Sequence, residues 1–283
     1  MIPAARLQNE LTLLSSRRIM VNKTRRGFLN LYRGSVFQLL DGTVVKIGGL
    51  GYLQREFEAT QYARKHTMLP IPRVYDLFTS KDNQVAYLIM EYVPGEMLLR
   101  KWRFLSASQK HSIMVQVKDI ITEMRSIRPP QSQRWIGSFT GGPFLDFLIG
   151  GNDPYGPFDN EIAFNNFRIS RFTSMPYCEF PSVRERFASI RREMPNDHDI
   201  VFTHGDINLR NILVDFKRDD VRIVALVDWE QAGWRPAYWE KAKLVFGAQP
   251  PDWYTAAETW IIEGYENEID REIELQLIHG GTM

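Results

Sequence analysis

Short runs of hydrophobic residues separated by polar turns dominate the first third of the chain. Residues 36–40 and 43–47 form two such runs around Asp41-Gly42, a dipeptide typical of a two-residue hairpin turn. Residues 74–78 and 85–90 form a second pair around a polar turn. Each run has the length and composition of a strand, so the pattern predicts a small antiparallel sheet.

Apolar residues at helical spacing predict two helices in the same region, at residues 3–16 and 52–65. After Pro94-Gly95, which we interpret as a hinge, helical periodicity prevails. We predict helices at 108–126, 183–193 and 253–278, strands at 200–202, 212–214 and 223–227, and an irregular stretch at 129–157. The pattern therefore predicts an α+β protein with a small antiparallel-sheet lobe at residues 1–93, carrying one key helix, and a larger, mostly helical lobe at residues 94–283.

Composition narrows the classes of function. The 283 residues include 35 Lys and Arg against 34 Asp and Glu, a formal net charge of +1, whereas a general nucleic-acid binder carries a clear basic excess. Cys178 is the sole cysteine, which excludes an intrachain disulfide. No apolar run reaches the ~20 residues of a membrane span, and residues 8–10 are polar where a signal peptide is apolar. We expect a cytoplasmic protein with no nucleic-acid or membrane partner, and leave the oligomeric state open.

The charge is unevenly distributed. Seven Lys and Arg against one acid lie between Arg6 and Arg33, and eight acids with one Arg lie between Asp252 and Glu274. These stretches are either two solvated faces of opposite sign or, in a sharper hypothesis, one end that favours phosphate and another that favours a cationic partner.

The most informative motif is His204-Gly205-Asp206, followed by Asn211, a strand, a turn and Asp228. If residues 212–215 and 222–227 pair as a hairpin, Asn211 and Asp228 meet at its open end, with Asp206 just upstream. Carboxylate and amide oxygens suit Mg²⁺. Phosphoryl transfer also needs a carboxylate to orient and deprotonate the attacking hydroxyl. Each Asp or Asn taken singly fits a turn or cap, and we interpret His204 as a structural residue that orients the loop.

Lys46 and Glu56 form a second candidate pair. Lys46 lies in an apolar strand, where a lysine either reaches solvent or holds a ligand such as phosphate. On the following helix, Glu56 falls in the middle of the apolar face, whereas Glu58 falls outside it. A carboxylate that faces inward needs a partner, and Lys46 is the nearest candidate in sequence. The pair is either a device that fixes the lysine for nucleotide phosphates or an ordinary structural ion pair.

These residues, in this order, resemble the aminoglycoside phosphotransferase and choline kinase superfamily, and most of all its divergent fungal members. The resemblance runs from about Gly34 to Glu240. It includes Lys46, the helix segment 55–59, segments 69–75, 88–96, 136–138 and 156–158, the His204 loop and Val227-Asp228-Trp229-Glu230. The resemblance implies a bilobal protein-kinase-like fold, with the site between the lobes.

The resemblance also implies roles for individual residues. Asp206 would be the catalytic base, and Asn211 and Asp228 would hold Mg²⁺. Lys46, paired with Glu56, would bind the phosphates of ATP. Arg210 lies in the catalytic loop, from which it would reach the transferred phosphate.

At the adenine end, the resemblance implies that the backbone of Glu91 and Val93 contacts the base and that Met90 lines the pocket behind it. Ser35 is a candidate phosphate contact. The segment around it, Tyr32-Arg33-Gly34-Ser35-Val36, departs from the Gly-rich pattern because it has a single glycine.

The acceptor site is the least determined part. Family members that modify aminoglycosides resemble one another in acidic residues near the C-terminus that bind substrate amines. This chain also has acids there, which either serve in that way or form a solvated helix. Glu230 and an aromatic cluster after Asp228 are the better acceptor-wall candidates, with a stacking surface for a planar, apolar or quaternary ammonium substrate. The aromatic candidates are Trp234, Tyr238 and Trp239, next to Trp229. They equally fit the core.

The sequence therefore predicts an ATP- and Mg²⁺-dependent phosphotransferase that moves the γ-phosphate to a hydroxyl of a small molecule by direct in-line transfer. Two alternatives stay open at this point. One is a nucleotide-binding regulatory module without turnover, which the degenerate glycine loop favours. The other is a protein kinase. Against this alternative, the chain has Asp228-Trp229-Glu230 at the position where a protein kinase has D-F-G.

Overall fold

The computed structural model describes residues 35–39, 42–80, 85–129, 135–150, 153–174, 180–217, 220–246 and 250–278. The helix predicted at 3–16, nearly all of the basic stretch 6–33 and Cys178 lie outside these ranges. Four strands form the first sheet: β1 (Ser35–Gln38), β2 (Thr43–Gly48), β3 (Val74–Thr79) and β4 (Ala86–Glu91). They are antiparallel in the order β1-β2-β4-β3. Helix α1 (Leu50–His66) follows β2, as predicted.

The rest of the chain is mainly helical. Its helices are α2 (Leu98–Lys101), α3 (Ala107–Arg125), α4 (Glu161–Thr173), α5 (Pro181–Glu193), α6 (Trp239–Val245), α7 (Pro251–Ala256) and α8 (Glu266–Ile278). Its strands are β5 (Glu96–Met97), β6 (Ile200–Thr203), β7 (Ile212–Lys217), β8 (Asp220–Leu226) and β9 (Gly233–Pro236). An antiparallel-sheet N-terminal region thus precedes a helical C-terminal part, which confirms the predicted α+β class. Among the described residues, no helix combines the length and apolar character needed to cross a membrane.

The predicted hairpin after the His204 motif is present. β7 and β8 pair antiparallel, and the register sets Ile212 opposite Leu226. β5 adds to the other edge of β7, and β6 pairs with β9. The β7–β8 hairpin is therefore held at its β7 edge by β5. This pairing fixes the position of its open end, where Asn211 and Asp228 lie.

Helix α3 is the centre of the helical part. Ser106 and Gln109 form a reciprocal capping box at its N-terminus. The side chains of one face are buried in the main hydrophobic core: Ile113, Met114, Val117, Ile120, Ile121 and Met124. This spacing of three and four residues is the apolar stripe from which the helix was predicted.

Several elements differ from the prediction. Helices α2, α4 and α6 and strands β5 and β9 were not predicted, and the predicted helix 253–278 is interrupted. A π-helical turn, Ala257–Ile261, follows α7, and the chain then bends at Gly264 and Tyr265, whose φ angles are 79° and 69°. Glycine adopts such a φ without strain, so Gly264 ends the helical run and lets α8 start in a new direction.

The acidic end of the chain forms ion pairs with the body of the protein. Six of its eight acids pair with cations from other elements: Asp252 with Lys110, Glu263 with Lys118, Glu266 with Lys241, Glu268 with His198, Glu272 with Arg168 and Glu274 with Arg186. The Arg168–Glu272 pair is fully buried. The solvated-face interpretation holds for the five acids that stay exposed, Asp252, Glu258, Glu263, Glu266 and Asp270, and is wrong for the buried Glu272.

His198 gives this region a dependence on pH. Its Nδ1 lies 2.8 Å from Glu161 Oε1, and its Nε2 lies 3.6 Å from Glu268 Oε1. The hydrogen bond with Glu161, opposed by burial and aided by both carboxylates, raises the pKa of His198. The folded state thus holds this proton more tightly than the unfolded chain does, and its stabilisation is lost as pH rises through the folded pKa.

We therefore expect the melting temperature to fall as pH rises from about 6 towards 8, and His198→Gln to reduce that slope. Thermal melts at half-unit pH intervals measure both. His66→Gln, at the exposed end of α1, is the matched control and should leave the slope unchanged. An identical slope in His198→Gln would contradict the assignment.

Gly233 permits a close approach between two backbone segments. Trp234 N donates to Gly137 O at 2.9 Å, and a Cβ added to Gly233 would lie 2.2 Å from Gly137 O. Because backbone cannot rotate away as a side chain can, we expect Gly233→Ala to destabilise the fold by about 3 kcal/mol or more. Chemical denaturation measures this. Gly51→Ala, where the new Cβ would meet its nearest neighbour at 3.7 Å, should not destabilise the protein.

Candidate active site

Lys46 is the centre of the first half of the site. It lies on β2 with its side chain buried, and its Nζ is 2.6 Å from Glu56 Oε2 and 2.9 Å from Asp228 Oδ1. Burial disfavours the charged ammonium, but Asp228 and Glu56 outweigh this and raise the pKa of Lys46. Lys46 is therefore a fixed cation that joins α1 to the segment after β8. The predicted Lys46–Glu56 pair is present.

Three carboxylates surround this lysine. Their oxygens, on Glu56, Asp228 and Glu230, lie within 4.8 Å of one another. Burial raises the pKa of Glu56 to about 7 and that of Glu230 to about 8, although Lys46 acts in the opposite direction on both. Glu230 was predicted as an acceptor contact. The structure places it beside Glu56 and Asp228, on the Lys46 side of the site.

The His204 loop is held by hydrogen bonds to its backbone. Glu240, on α6, accepts from His204 N at 2.7 Å and from Gly205 N at 3.2 Å. His204 Nδ1 accepts from Asp206 N at 3.1 Å, so the ring proton is on Nε2, which lies 3.2 Å from Val227 O. Burial lowers the pKa of His204 to about 4, which keeps the ring neutral. His204 therefore has the structural place that the sequence predicted for it.

Asp206 is held at both carboxylate oxygens. Asn208 Nδ2 donates to its Oδ1 at 3.1 Å, and Asn211 Nδ2 donates to its Oδ2 at 2.9 Å. Burial raises the pKa of Asp206 to about 6, with Lys243 opposing the shift. Gly205 precedes it with φ 75°, and a Cβ there would lie 3.1 Å from Gln231 O. The loop therefore presents one carboxylate in a fixed orientation.

Asn211 and Asp228 lie at the open end of the β7–β8 hairpin, as predicted. Val227 N donates to Asn211 O at 2.9 Å, which ties the two ends together. Asn211 Nδ2 donates to Asp206, so its amide Oδ1 is left to act as a ligand. Asp228 has left-handed backbone angles, φ 71° and ψ 61°, and its side chain is 30% exposed. One amide oxygen and one carboxylate form a hard donor set that fits Mg²⁺.

The residues predicted to contact adenine lie at the end of β4 and just after it. Glu91 N donates to Arg73 O, and Glu91 Oε2 accepts from Arg73 N. Val93 is half-buried, and its backbone has no hydrogen-bond partner within the described ranges. Met90 is half-buried on β4, opposite Val44 of β2. The N–H and C=O of Val93 are therefore open to another hydrogen-bond partner.

Two predicted contacts lie at the edges of this arrangement. Ser35 begins β1, where its backbone faces Ile47. The preceding residues of its loop lie outside the described ranges. Arg210 is exposed, and its backbone N donates to Asn208 Oδ1 at 2.8 Å.

The aromatic acceptor candidates lie in the core. Trp234, Tyr238 and Trp239 are each at most 5% exposed. The indole N–H of Trp239 donates to Asp146 Oδ2 at 2.6 Å, that of Trp234 donates to Phe139 O, and Tyr238 accepts from Arg168. The alternative that these residues belong to the core is the one that the structure favours, because all three side chains are buried.

Sequence reasoning missed the support behind the loop. Glu240 and Lys243 lie three residues apart on α6, and Glu240 accepts from the backbone of the His204 loop. Lys243 Nζ donates to Asp146 Oδ1 at 2.8 Å and to Gln231 Oε1 at 3.1 Å. The signal available in the sequence was one acid and two lysines in an otherwise mainly apolar segment, residues 237–245.

Solved structures share this fold. The chain aligns with wild-type aminoglycoside 2'-phosphotransferase-IIIa in complex with GDP at a TM-score of 0.64 and 12% identity, over 97% of this chain and 88% of that one. It aligns with a thermostable mutant of aminoglycoside phosphotransferase APH(4)-Ia, in ternary complex with ADP and hygromycin B, at a TM-score of 0.59 and 16% identity. That alignment covers 95% of this chain and 87% of the other. With an aminoglycoside-3'-phosphotransferase of type VIII it aligns at a TM-score of 0.56 and 18% identity, over 96% of this chain and 98% of that one. The fold is that of the aminoglycoside phosphotransferases.

Sequence comparison gives the family. The sequence model described as the phosphotransferase enzyme family matches residues 27–268, and the chain belongs to that family. Two fungal relatives are similar over shorter stretches. "Altered inheritance of mitochondria protein 9, mitochondrial" of Candida tropicalis is 26% identical over 133 residues, 46% of this chain and 20% of that protein. A subtelomeric hrmA-associated cluster protein of Aspergillus fumigatus is 30% identical over 77 residues, 26% of this chain and 15% of that protein. The matches thus span a fifth or less of these relatives.

Proposed function

We propose that the protein is an ATP- and Mg²⁺-dependent phosphotransferase that moves the γ-phosphate to a hydroxyl of a small molecule. The observation that carries the proposal is the fixed carboxylate of Asp206, held by Asn208 and Asn211 beside the Lys46–Asp228 ion pair. A general base, oxygen ligands and a buried cation are the parts that phosphoryl transfer needs. Membership of the phosphotransferase enzyme family supports the assignment.

Asp206 would act on the acceptor. Its carboxylate would accept the proton of the attacking hydroxyl while the hydroxyl oxygen forms a bond to the γ-phosphorus. The bond between that phosphorus and the β,γ-bridging oxygen would break, and its electron pair would leave with ADP. Because the amides of Asn208 and Asn211 hold both carboxylate oxygens, Asp206 would orient the hydroxyl without reorganising.

Lys46 and the hinge would hold the nucleotide. Lys46, oriented by Glu56, would contact the phosphates, and the backbone of Glu91 and Val93 would contact the adenine. Asn211 Oδ1 and Asp228 would hold Mg²⁺, which supplies positive charge to the phosphate oxygens.

Incubation with γ-labelled ATP tests the proposal. The purified protein is mixed with labelled ATP, Mg²⁺ and a metabolite extract, and label is sought in small molecules and in proteins. We expect label in small molecules, dependent on Mg²⁺ and abolished by EDTA. Label confined to proteins would favour a protein kinase. Saturable binding of Mg²⁺-ATP with neither transfer nor hydrolysis would favour a nucleotide-binding module.

A further inference from the structure

The helix that carries Glu56 is packed against two different parts of the molecule. From Glu56 onwards its buried residues are Ala59, Thr60 and Ala63, spaced three and four apart along one face. Ala59 and Ala63 belong to the main hydrophobic core, together with residues of α3, β6 and β8. The sheet has smaller clusters of its own, which are Leu39 with Val45 and Ile89, and Leu53 with Ala86 and Leu88. The buried residues of the second half of α1 are therefore part of the core of the C-terminal part, whereas Lys46 is part of the sheet.

Tyr62 borders this face of α1 and joins it to two segments of the C-terminal part. Its ring centroid lies 4.8 Å from that of Phe139 and 5.5 Å from that of Phe202. Both distances are within the range of about 4.5–7 Å that aromatic pairs prefer. Phe202 is fully buried on β6, which leads directly to His204, and the carbonyl of Phe139 accepts from Trp234 Nε1 at 3.2 Å. Tyr62 is thus held between two segments that are themselves fixed.

The chain that follows α1 is tied to the same body. The backbone N of Met68 donates to Glu123 Oε1, on α3, at 2.5 Å. Leu226, at the end of β8, donates its backbone N to Pro70 O at 2.8 Å. A swing of this half of α1 that moves Glu56 away from Lys46 would therefore have to disturb aromatic contacts and backbone hydrogen bonds together.

The anchoring of α1 bears on the ammonium of Lys46. Glu56 and Asp228 hold two of its three N–H groups, at 2.6 and 2.9 Å. Asp228 directly precedes Trp229, which is buried in the main hydrophobic core. Both acceptors are thus carried by the C-terminal body, and their positions determine where the third N–H of Lys46 points.

We propose that Tyr62 is a positioning residue for nucleotide binding. By anchoring the second half of α1 on Phe139 and Phe202, it holds Glu56 at Lys46, so that the ammonium is placed for a phosphate without a movement of the helix. The assignment rests on the proposed phosphotransferase function, in which Lys46 contacts the phosphates of ATP.

The affinity for Mg²⁺-ATP, measured by calorimetric titration below the melting temperature of each variant, tests the role. We expect Tyr62→Ala to raise Kd about 3- to 10-fold. Tyr62→Phe should bind like the wild type, because the ring is kept and the hydroxyl has no hydrogen-bond partner in the described part of the chain. Tyr75→Ala is the matched control, since this tyrosine of β3 is 53% exposed. A Tyr62→Ala protein with the wild-type Kd would overturn the role.

A double-mutant cycle with Glu56→Gln separates positioning from a general loss of stability. If Tyr62 acts through Glu56, Tyr62→Ala should add little to the Kd of the Glu56→Gln protein, and its effect alone should not exceed that of Glu56→Gln. Additive effects of the two changes on Kd would contradict the inference. Should Tyr62→Ala fail to fold, Phe139→Leu removes the same ring pair from the other side and should raise Kd in the same direction.

Hydrogen exchange of the nucleotide-free protein, followed by mass spectrometry, tests the anchoring itself. We expect the amides of residues 59–66 to exchange as slowly as those of α3 in the wild type and at least about tenfold faster in Tyr62→Ala, with α3 unchanged. Equal exchange in both proteins would show that Tyr62 does not anchor the helix.

The wild-type protein distinguishes the two levels of failure. If it binds Mg²⁺-ATP and Tyr62→Ala binds equally well, the positioning role is wrong and the phosphotransferase assignment survives. If the wild type neither binds Mg²⁺-ATP nor transfers label, the proposed function fails, and the role of Tyr62 in nucleotide binding fails with it.

Discussion

Replacing Asp206 with asparagine is expected to reduce phosphoryl transfer by about 10²- to 10⁴-fold while leaving the affinity for Mg²⁺-ATP nearly unchanged. The amide occupies the same volume and cannot accept the hydroxyl proton. The new side chain keeps only one of the two oxygens that accept from Asn208 and Asn211, so an unchanged melting temperature is needed to assign a loss of rate to the loss of the base rather than of the loop. Label transfer and calorimetric titration of ATP measure the two quantities separately.

Asp215→Asn is the control for this experiment. Asp215 lies on β7, and its Oδ1 accepts from Phe216 N, outside the Asp206 loop. This variant should transfer phosphate at the wild-type rate. Wild-type transfer in Asp206→Asn would remove Asp206 from the chemistry, and loss of ATP binding together with transfer would assign it a structural role.

The second large effect is expected from Lys46→Met. This change removes the cation between Glu56 and Asp228 and leaves buried carboxylates without their partner. We expect the affinity for Mg²⁺-ATP to fall at least about tenfold, because a charge-assisted contact to phosphate is lost. Breaking a buried ion pair also costs about 3–5 kcal/mol of stability, less where a carboxylate takes up a proton instead.

Because Glu56 and Glu230 have raised pKa values, the stability loss in Lys46→Met should be smaller at pH 6 than at pH 8. Denaturation at both pH values and titration of ATP at the lower pH separate stability from binding. Lys65→Met, at the exposed end of α1, serves as control. Wild-type ATP affinity in a folded Lys46→Met protein would contradict the phosphate role.

Local patterns account for the parts of the site that were predictable. Asp41-Gly42 marked the first hairpin, and helical periodicity turned Glu56 towards the sheet and Glu58 away from it. The spacing from His204 through Asn211 to Asp228 placed three polar side chains at one hairpin end. Each inference needed only the geometry of a single strand, turn or helix, which a short stretch of sequence determines.

The unpredicted parts depend on contacts between distant segments. Glu240 binds the loop 35 residues before it, a partnership that no periodicity encodes. Six of the eight acids of residues 252–274 form ion pairs with cations of other elements, up to 145 residues away, although five of the eight stay exposed. The aromatic residues after Asp228 had the composition of both a wall and a core, and only the packing of α6 against Phe164 and Asp146 decided between them.

The Lys46–Asp228 ion pair has a consequence for the order of folding. Its two residues are 182 positions apart, whereas Lys46 and Glu56 are separated by ten. The local pair can form as soon as β2 and α1 dock. The second contact closes a loop of almost two thirds of the chain, and the conformational entropy lost in closing it slows its formation. A fragment that ends before Asp228 would therefore hold half of the cluster, and the candidate site would be complete only once two residues 182 positions apart have met.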